Sequence, residues 1–181
     1  MKKIVLTFGL ISGVFLAGLT ALMIPMCMNA TLDFDKSEII GYSAMVLAFL
    51  MVFFGIRSYR DNIGGGVITF GKAFQVGILI TLVTCAIYLI SWEIVYFNFV
   101  PDFTDKYATH SIERLRRGGA SDAEIVKATQ EMADFKKMYA NPLFNVGMTF
   151  LEVFPVGLIM TLVSAAILRR KTPPVPAVAV A

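Results

Sequence analysis

Residues 70–99 read FGKAFQVGILITLVTCAIYLISWEIVYFNF, and the only charged side chains in this run are Lys72 and Glu93. An α-helix rises about 1.5 Å per residue, so about 20 apolar residues cross the roughly 30 Å hydrocarbon core of a bilayer. The run is long enough for that, and it lacks the strict polar–apolar alternation of barrel strands. It is therefore predicted to be a membrane-spanning helix.

Three further apolar stretches have a suitable length, and they cover residues 4–28, 39–56 and 142–168. Of the whole chain, 57% is hydrophobic and only 16% is charged, whereas a soluble domain carries roughly 25% charged residues. A length of 181 residues indicates one domain. The sequence thus predicts an all-α, integral membrane four-helix bundle over residues 1–171, with the lipid bilayer as its surroundings.

The first apolar stretch has a second interpretation. Met1-Lys2-Lys3 followed by an apolar run is also typical of a secretory signal peptide. The run is long for such a peptide and no convincing A-x-A cleavage site follows it, which favours a retained helix.

The basic residues indicate an orientation, because loops rich in lysine and arginine remain in the cytoplasm. Eight of the sixteen lie at the N-terminus, between the second and third stretches, and after the fourth: Lys2, Lys3, Arg57, Arg60, Lys72, Arg169, Arg170 and Lys171. The connection between the first two stretches carries Asp33, Asp35 and Glu38 against Lys36, and the longer segment 101–141 balances seven acids with seven bases. Both termini are therefore predicted to be cytoplasmic. The net charge of +3 is too small to indicate nucleic-acid binding, and the Pro- and Ala-rich tail, 172–181, is predicted to be disordered.

Residues 101–141, between the third and fourth stretches, are polar but patterned. Ser121-Asp122-Ala123-Glu124 has the form of a capping box, and apolar residues then recur every three or four positions. Gly118-Gly119 supplies a break before this helix. The pattern predicts a helical hairpin outside the cytoplasm, which either covers the bundle as a lid or docks another envelope protein.

Small residues recur every fourth position in three of the stretches, and such stripes favour close helix packing in lipid. The stripes are Gly9, Gly13, Ala17 and Ala21; Ala73, Gly77, Thr81 and Cys85; and Gly157, Thr161 and Ala165. The contacts could lie within one chain or between the copies of a homo-oligomer. Four aromatic residues near the end of the third stretch are predicted to form an aromatic belt at the membrane surface, with a ligand-stacking cage as the weaker alternative: Trp92, Tyr96, Phe97 and Phe99.

Glu93 and Glu152 are the only acids inside apolar stretches, and intramembrane carboxylates are candidates for function. If the two helices run antiparallel, the carboxylates could face each other and share a proton or a cation; alternatively, each reaches the interface by itself. At the other end, Arg57, Arg60 and Lys72 flank Gly64-Gly65-Gly66. This loop could contact a phosphate or a lipid headgroup, although a flexible turn is the stronger interpretation.

The sequence lacks the residue sets that common catalytic and metal sites require. The two cysteines form no CxxC pair, and the chain has one histidine, His110. No Ser/His/Asp set, HExxH, GxSxG or kinase motif occurs. No catalytic residue, metal site or cofactor is predicted, and the protein is not expected to be an enzyme.

Two segments carry a family resemblance: 54–74, FGIRSYRDNIGGGVITFGKAF, and 141–158, NPLFNVGMTFLEVFPVGL, with AILRRK at 166–171. They resemble the hallmarks of the bacterial domain-of-unknown-function 4199 family. The segment between them is similar too, so the resemblance covers nearly the whole chain. It implies a small multi-pass protein of the bacterial inner membrane, and it implies no activity, substrate or catalytic residue.

Two functional hypotheses follow. The first is a non-enzymatic scaffold or accessory subunit that binds an envelope protein through the outer hairpin. The alternative is a small oligomeric proton- or ion-coupled transporter or channel that uses Glu93 and Glu152.

Overall fold

The computed structural model describes residues 1–29 and 34–171, and these ranges form six helices. They are α1 (Lys2–Met28), α2 (Phe34–Asn62), α3 (Phe70–Asn98), α4 (Phe103–Arg117), α5 (Asp122–Tyr139) and α6 (Pro142–Leu168). Helices α1, α2, α3 and α6 are long and apolar enough to cross a membrane. The all-helical prediction is confirmed; Asp33 and the tail predicted to be disordered, 172–181, lie outside the described residues.

Helix α2 is longer than the apolar stretch from which it was predicted. It contains 29 residues, whereas the uncharged stretch covers only residues 39–56. Asp35 in its first turn and Arg60 in its last turn complement the helix macrodipole. Arg57 and Asp61 form an i,i+4 ion pair that supports the last turn. As a result, Asp35 and Glu38 lie on a helix and not in a connecting loop.

Helix α1 packs on α3 through two of its glycines. A methyl group added at Gly9 would lie 2.6 Å from Cγ1 of Val83, and one added at Gly13 would lie 2.8 Å from Cβ of Ile87. Both glycines are buried. The missing side chains thus let α3 place branched residues directly against the α1 backbone.

Helices α3 and α6 meet in a reciprocal contact. Gly77 of α3 faces Thr161 of α6, and Gly157 of α6 faces Thr81 of α3, with 2.8 Å and 2.5 Å between an added methyl group and the threonine Cγ2. The two threonine hydroxyls are 3.0 Å apart and hydrogen-bonded. The small-residue stripes of these two helices therefore contact each other within one chain.

The turn between α2 and α3 is tied to the end of α6. Gly65 and Gly66 have φ values of 61° and 82°, in the left-handed region that favours glycine. The chain then extends so that the amide of Ile68 donates to the carbonyl of Arg170 at 3.0 Å, and the amide of Arg170 donates to the carbonyl of Ile68 at 2.9 Å. We call this end of the protein the bridge end.

Helices α4 and α5 lie at the opposite end of the four long helices. The predicted capping box is confirmed: the Ser121 hydroxyl accepts from the amide of Glu124, and the Glu124 carboxylate accepts from the amide of Ser121. The Ser121 amide and hydroxyl, both of which donate to the Glu124 carboxylate, lower the pKa of Glu124. Gly119, with φ of 81°, ends the preceding connection.

Candidate functional site

A cavity of about 550 Å³ lies where the long helices meet α4 and α5. Side chains from all six helices form its wall. It lies at the end of the long helices opposite the Ile68–Arg170 contact. Ligand sites in proteins typically have volumes of about 300–1,000 Å³.

Three carboxylates face the cavity: Asp35 and Glu38 from α2, and Glu152 from α6. Asp35 contacts α4, since its Oδ1 lies 3.2 Å from Nη1 of Arg114 and its Oδ2 lies 3.9 Å from Nε2 of His110. Glu38 and Glu152 line the same cavity from two different helices. Within residues 1–29 and 34–171, no lysine, arginine or histidine forms an ion pair with either of them.

Aromatic side chains form much of the remaining wall. Tyr42 of α2, Tyr88 and Trp92 of α3, and Tyr139 of α5 all line the cavity. The three tyrosines share this wall with Glu152. The cavity therefore combines uncompensated negative charge with aromatic rings.

Trp92 is fixed in place by hydrogen bonds. Its indole Nε1 donates to Oδ1 of Asn145 at 3.0 Å and to the hydroxyl of Tyr139 at 3.1 Å. Asn145 is fully buried in α6 and also accepts from the hydroxyl of Thr149 at 3.3 Å. Tyr139 is partly buried, and the loss of water around its hydroxyl raises its pKa. This network joins α3, α5 and α6 beside the cavity.

The aromatic-belt prediction is wrong for two of its four residues. Trp92 and Tyr96 are buried, and the Tyr96 hydroxyl is 2.9 Å from that of Thr104 in α4. Only Phe97 and Phe99 point outward, with 40% and 73% of their surface exposed. The reason is α4, which packs Phe103 against the Trp92 ring at a centroid distance of 5.3 Å.

Helix α4 is also attached to the first two helices. Nζ of Lys106 donates to the carbonyl of Met28 at 2.8 Å, which places a cation at the negative C-terminal end of α1. The rings of Phe34 and Tyr107 meet edge to face, with centroids 6.0 Å apart. These contacts hold α4 against the cavity.

The structure does not bring Glu93 and Glu152 together. Trp92 lies opposite Asn145, and Glu152 is seven residues further along α6, which corresponds to about 10 Å along the helix axis. Glu93 does not line the cavity, and its Oε1 is buried without a hydrogen-bond partner among the described residues. Glu38, rather than Glu93, shares the cavity with Glu152.

The comparison with protein families identifies the family of this chain. Residues 7–170 match the family described as "protein of unknown function (DUF4199)". The chain belongs to the DUF4199 family. The resemblance seen in the sequence is confirmed, and the match includes both hallmark segments. Neither the curated proteins nor the solved structures gave a match.

The basic candidates of this DUF4199 protein lie at the bridge end. Arg60 Nε is 2.7 Å from Oδ1 of Asp61, and Arg57 Nε is 3.6 Å from Oδ2 of the same carboxylate. Lys72 instead donates to Oε1 of Gln75 at 2.9 Å and lies over the ring of Tyr59. Arg57 and Arg60 thus converge on one acid, and Lys72 makes a separate contact; a phosphate or headgroup at this turn stays a prediction.

Metal-ligating residues are not clustered in the part of the DUF4199 chain that the structure describes: no three His, Cys, Asp or Glu side chains lie where they could hold an ion. Cys27 and Cys85 are both free and buried. Of the two, only Cys27 lines the cavity.

Sequence reasoning missed Glu38 and Tyr42 as site residues. Positions 35, 38 and 42 have the i, i+3, i+7 spacing of one helix face, but this spacing does not show which other helix that face contacts. The acids also precede the uncharged stretch 39–56, so the sequence placed them in a loop.

Proposed function

We propose that this DUF4199 protein is a non-enzymatic, multi-pass protein of the bacterial inner membrane that acts by binding. In this proposal, both termini are cytoplasmic and the two-helix segment α4–α5 lies on the outer side, where it meets an envelope protein. The basic residues support the orientation, since Arg57, Arg60, Lys72 and Arg170 lie together at the bridge end. The role is that of a scaffold or accessory subunit, with homo-oligomer formation as a compatible arrangement.

The observation that carries this proposal is the exposure of α5. This 18-residue helix has a complete capping box, yet none of its residues is buried. Val126 is 69% exposed and Met138 is 48% exposed. A well-formed helix that leaves apolar side chains accessible is suited to contact a second protein.

The experiment is site-specific photo-crosslinking in intact cells. A photoreactive amino acid at Val126 or Met138 should yield one discrete adduct with an envelope protein, because both side chains point away from the protein. Val14 of α1 is the matched control; it is 62% exposed, but it lies in a predicted membrane span and should give lipid adducts alone. If the α5 positions also yield only lipid adducts and self-adducts, the proposed docking role is wrong.

A second candidate function is proton- or ion-coupled transport by an oligomer, and the cavity carboxylates favour it. The sequence predicted Glu152 for this role together with Glu93; in this proposal Glu38, which lines the same cavity as Glu152, replaces Glu93. Intramembrane carboxylates commonly mark ion pathways.

In proteoliposomes, Glu152→Gln should then reduce a measurable proton or cation flux at least tenfold, since a neutral amide cannot carry the proton or hold the cation. Glu93→Gln serves as the control and should retain the wild-type flux, because Glu93 lies outside the cavity. Equal fluxes in the wild-type protein, in Glu152→Gln and in empty liposomes would eliminate this candidate.

A further inference from the structure

The cavity beneath α4 carries more negative than positive charge. Among the described residues that line it, three carboxylates, those of Asp35, Glu38 and Glu152, accompany one guanidinium, that of Arg114, and the imidazole of His110. Arg114 is already engaged with Asp35. Glu38 and Glu152 are therefore the groups that a positively charged ligand would neutralise, with a gain that grows as water is excluded.

The aromatic wall adds a second kind of attraction for a cation. Tyr42, Tyr88 and Trp92 line the same cavity as the two glutamates. The faces of such rings attract ammonium groups, and several rings around one site recognise quaternary ammonium ligands. The Trp92 ring is held by Asn145 and Tyr139, so it is oriented before a ligand arrives, which reduces the entropy cost of binding.

The size of the cavity favours an organic cation over a metal ion as the ligand. A volume of about 550 Å³ accommodates a ligand of many atoms. Calcium takes six to eight oxygen ligands, and magnesium demands an octahedral set. Two carboxylates set among aromatic carbon fit a single positive charge on an apolar body better than they fit either metal ion.

We infer that this cavity binds an organic ammonium cation with an apolar body, through Glu38, Glu152 and the rings of Tyr42, Tyr88 and Trp92. The same chemistry is found in free amines and in the headgroup of an ammonium-bearing lipid. The inference goes beyond the partner proposed for α5, and it names a ligand class for the transport candidate. It requires binding alone, so a binding measurement can succeed where a flux assay or a crosslinking experiment fails.

Trp92 provides the readout, because it is the single tryptophan of the chain and lines the cavity. The full-length protein is placed in nanodiscs of phosphatidylglycerol, and its fluorescence is followed during titration with benzyltrimethylammonium. Neopentylbenzene, in which carbon replaces the charged nitrogen, is the neutral control. We expect a saturable change with the cation and at least tenfold weaker binding of the neutral analogue; equal responses to the two compounds, or no saturable change, would overturn the inference.

Conservative variants test which carboxylates contribute. Glu38→Gln and Glu152→Gln should each weaken benzyltrimethylammonium binding about tenfold, because each removes one charge and retains the shape of the side chain. Glu93→Gln is the matched control and should stay within twofold of the wild-type affinity. Unchanged affinity in both cavity variants would contradict the inference. The comparison of cation and neutral analogue uses the wild-type protein, so it holds even if a variant folds poorly.

The lipid composition then separates the two sources of the ammonium group. If the natural ligand is a lipid headgroup, phosphatidylethanolamine in the nanodisc should compete with benzyltrimethylammonium and raise its apparent Kd. If the ligand is a free amine, phosphatidylethanolamine should leave the Kd unchanged. Displacement of the probe by potassium ions at equal concentration would instead assign the cavity to inorganic cations and overturn the inference.

Discussion

Replacing Gly157 with leucine should lower the stability of the protein by about 3 kcal/mol, the upper range for overpacking a filled interior. A methyl group at this position would already lie 2.5 Å from Cγ2 of Thr81 and 2.7 Å from Cε1 of Phe49. Leucine therefore has to push α6 away from both α3 and α2. The same displacement breaks the hydrogen bond between the hydroxyls of Thr81 and Thr161.

The measurement is thermal unfolding of the purified protein in a mild detergent. Size-exclusion chromatography of heated samples gives the fraction that remains folded. Gly147→Leu is the matched control, since Gly147 lies in the same helix and has no atom within 4 Å of an added methyl group. The control should melt like the wild type. Similar melting temperatures for the two variants would show that the reciprocal contact of α3 and α6 contributes little.

Replacing Trp92 with alanine should lower the stability of the protein by about 3–5 kcal/mol, as for other large aromatic side chains removed from a packed interior. Trp92 packs with Tyr96, Ile24 and Phe103 in a second apolar cluster at the cavity end. The substitution also removes the donor that binds Asn145 and Tyr139. We expect α4 and α5 to detach first, because this cluster holds them to the long helices.

Limited trypsin digestion measures that detachment, since Arg116 and Arg117 end α4. Cleavage there should accelerate at least tenfold in Trp92→Ala and remain at the wild-type rate in Phe99→Ala. Phe99 is an aromatic residue close by in sequence, but it is 73% exposed. If both variants are cleaved alike, the two aromatic residues are equivalent and Trp92 acts only as part of a membrane-surface belt.

The four long helices could be predicted because a long apolar segment is stable in lipid only as a helix, so its length and hydropathy are sufficient to identify it. The capping box at Ser121 was predictable for a similar reason, since its hydrogen bonds join residues three positions apart. The extent of α2 was not, because its first turn is polar and is stabilised by contacts with α4, such as that between Asp35 and Arg114. Such long-range contacts leave no local pattern in the sequence.

The candidate site could be predicted only in part. Glu152 stood out because a carboxylate in an apolar run is unusual, and the structure places it in the cavity. Its neighbour could not be identified, because a pairing of helices depends on their register and rotation. Glu93 is also an acid in an apolar run, like Glu152. The hydrogen bond between Trp92 and Asn145 aligns α3 with α6 so that the two glutamates lie at different levels along the helices. Asn145 was missed because a single asparagine in a helix gives no indication of what it will contact.

The two backbone hydrogen bonds between Ile68 and Arg170 close residues 68–170 into one chain loop. The hydrogen bond between Thr81 and Thr161 closes a slightly shorter loop inside it. The entropy lost on closing a chain loop depends on its length and is lost mainly once. Whichever of the two closures forms first therefore brings the ends together for the other, so the glycine turn and the helix contact should form cooperatively.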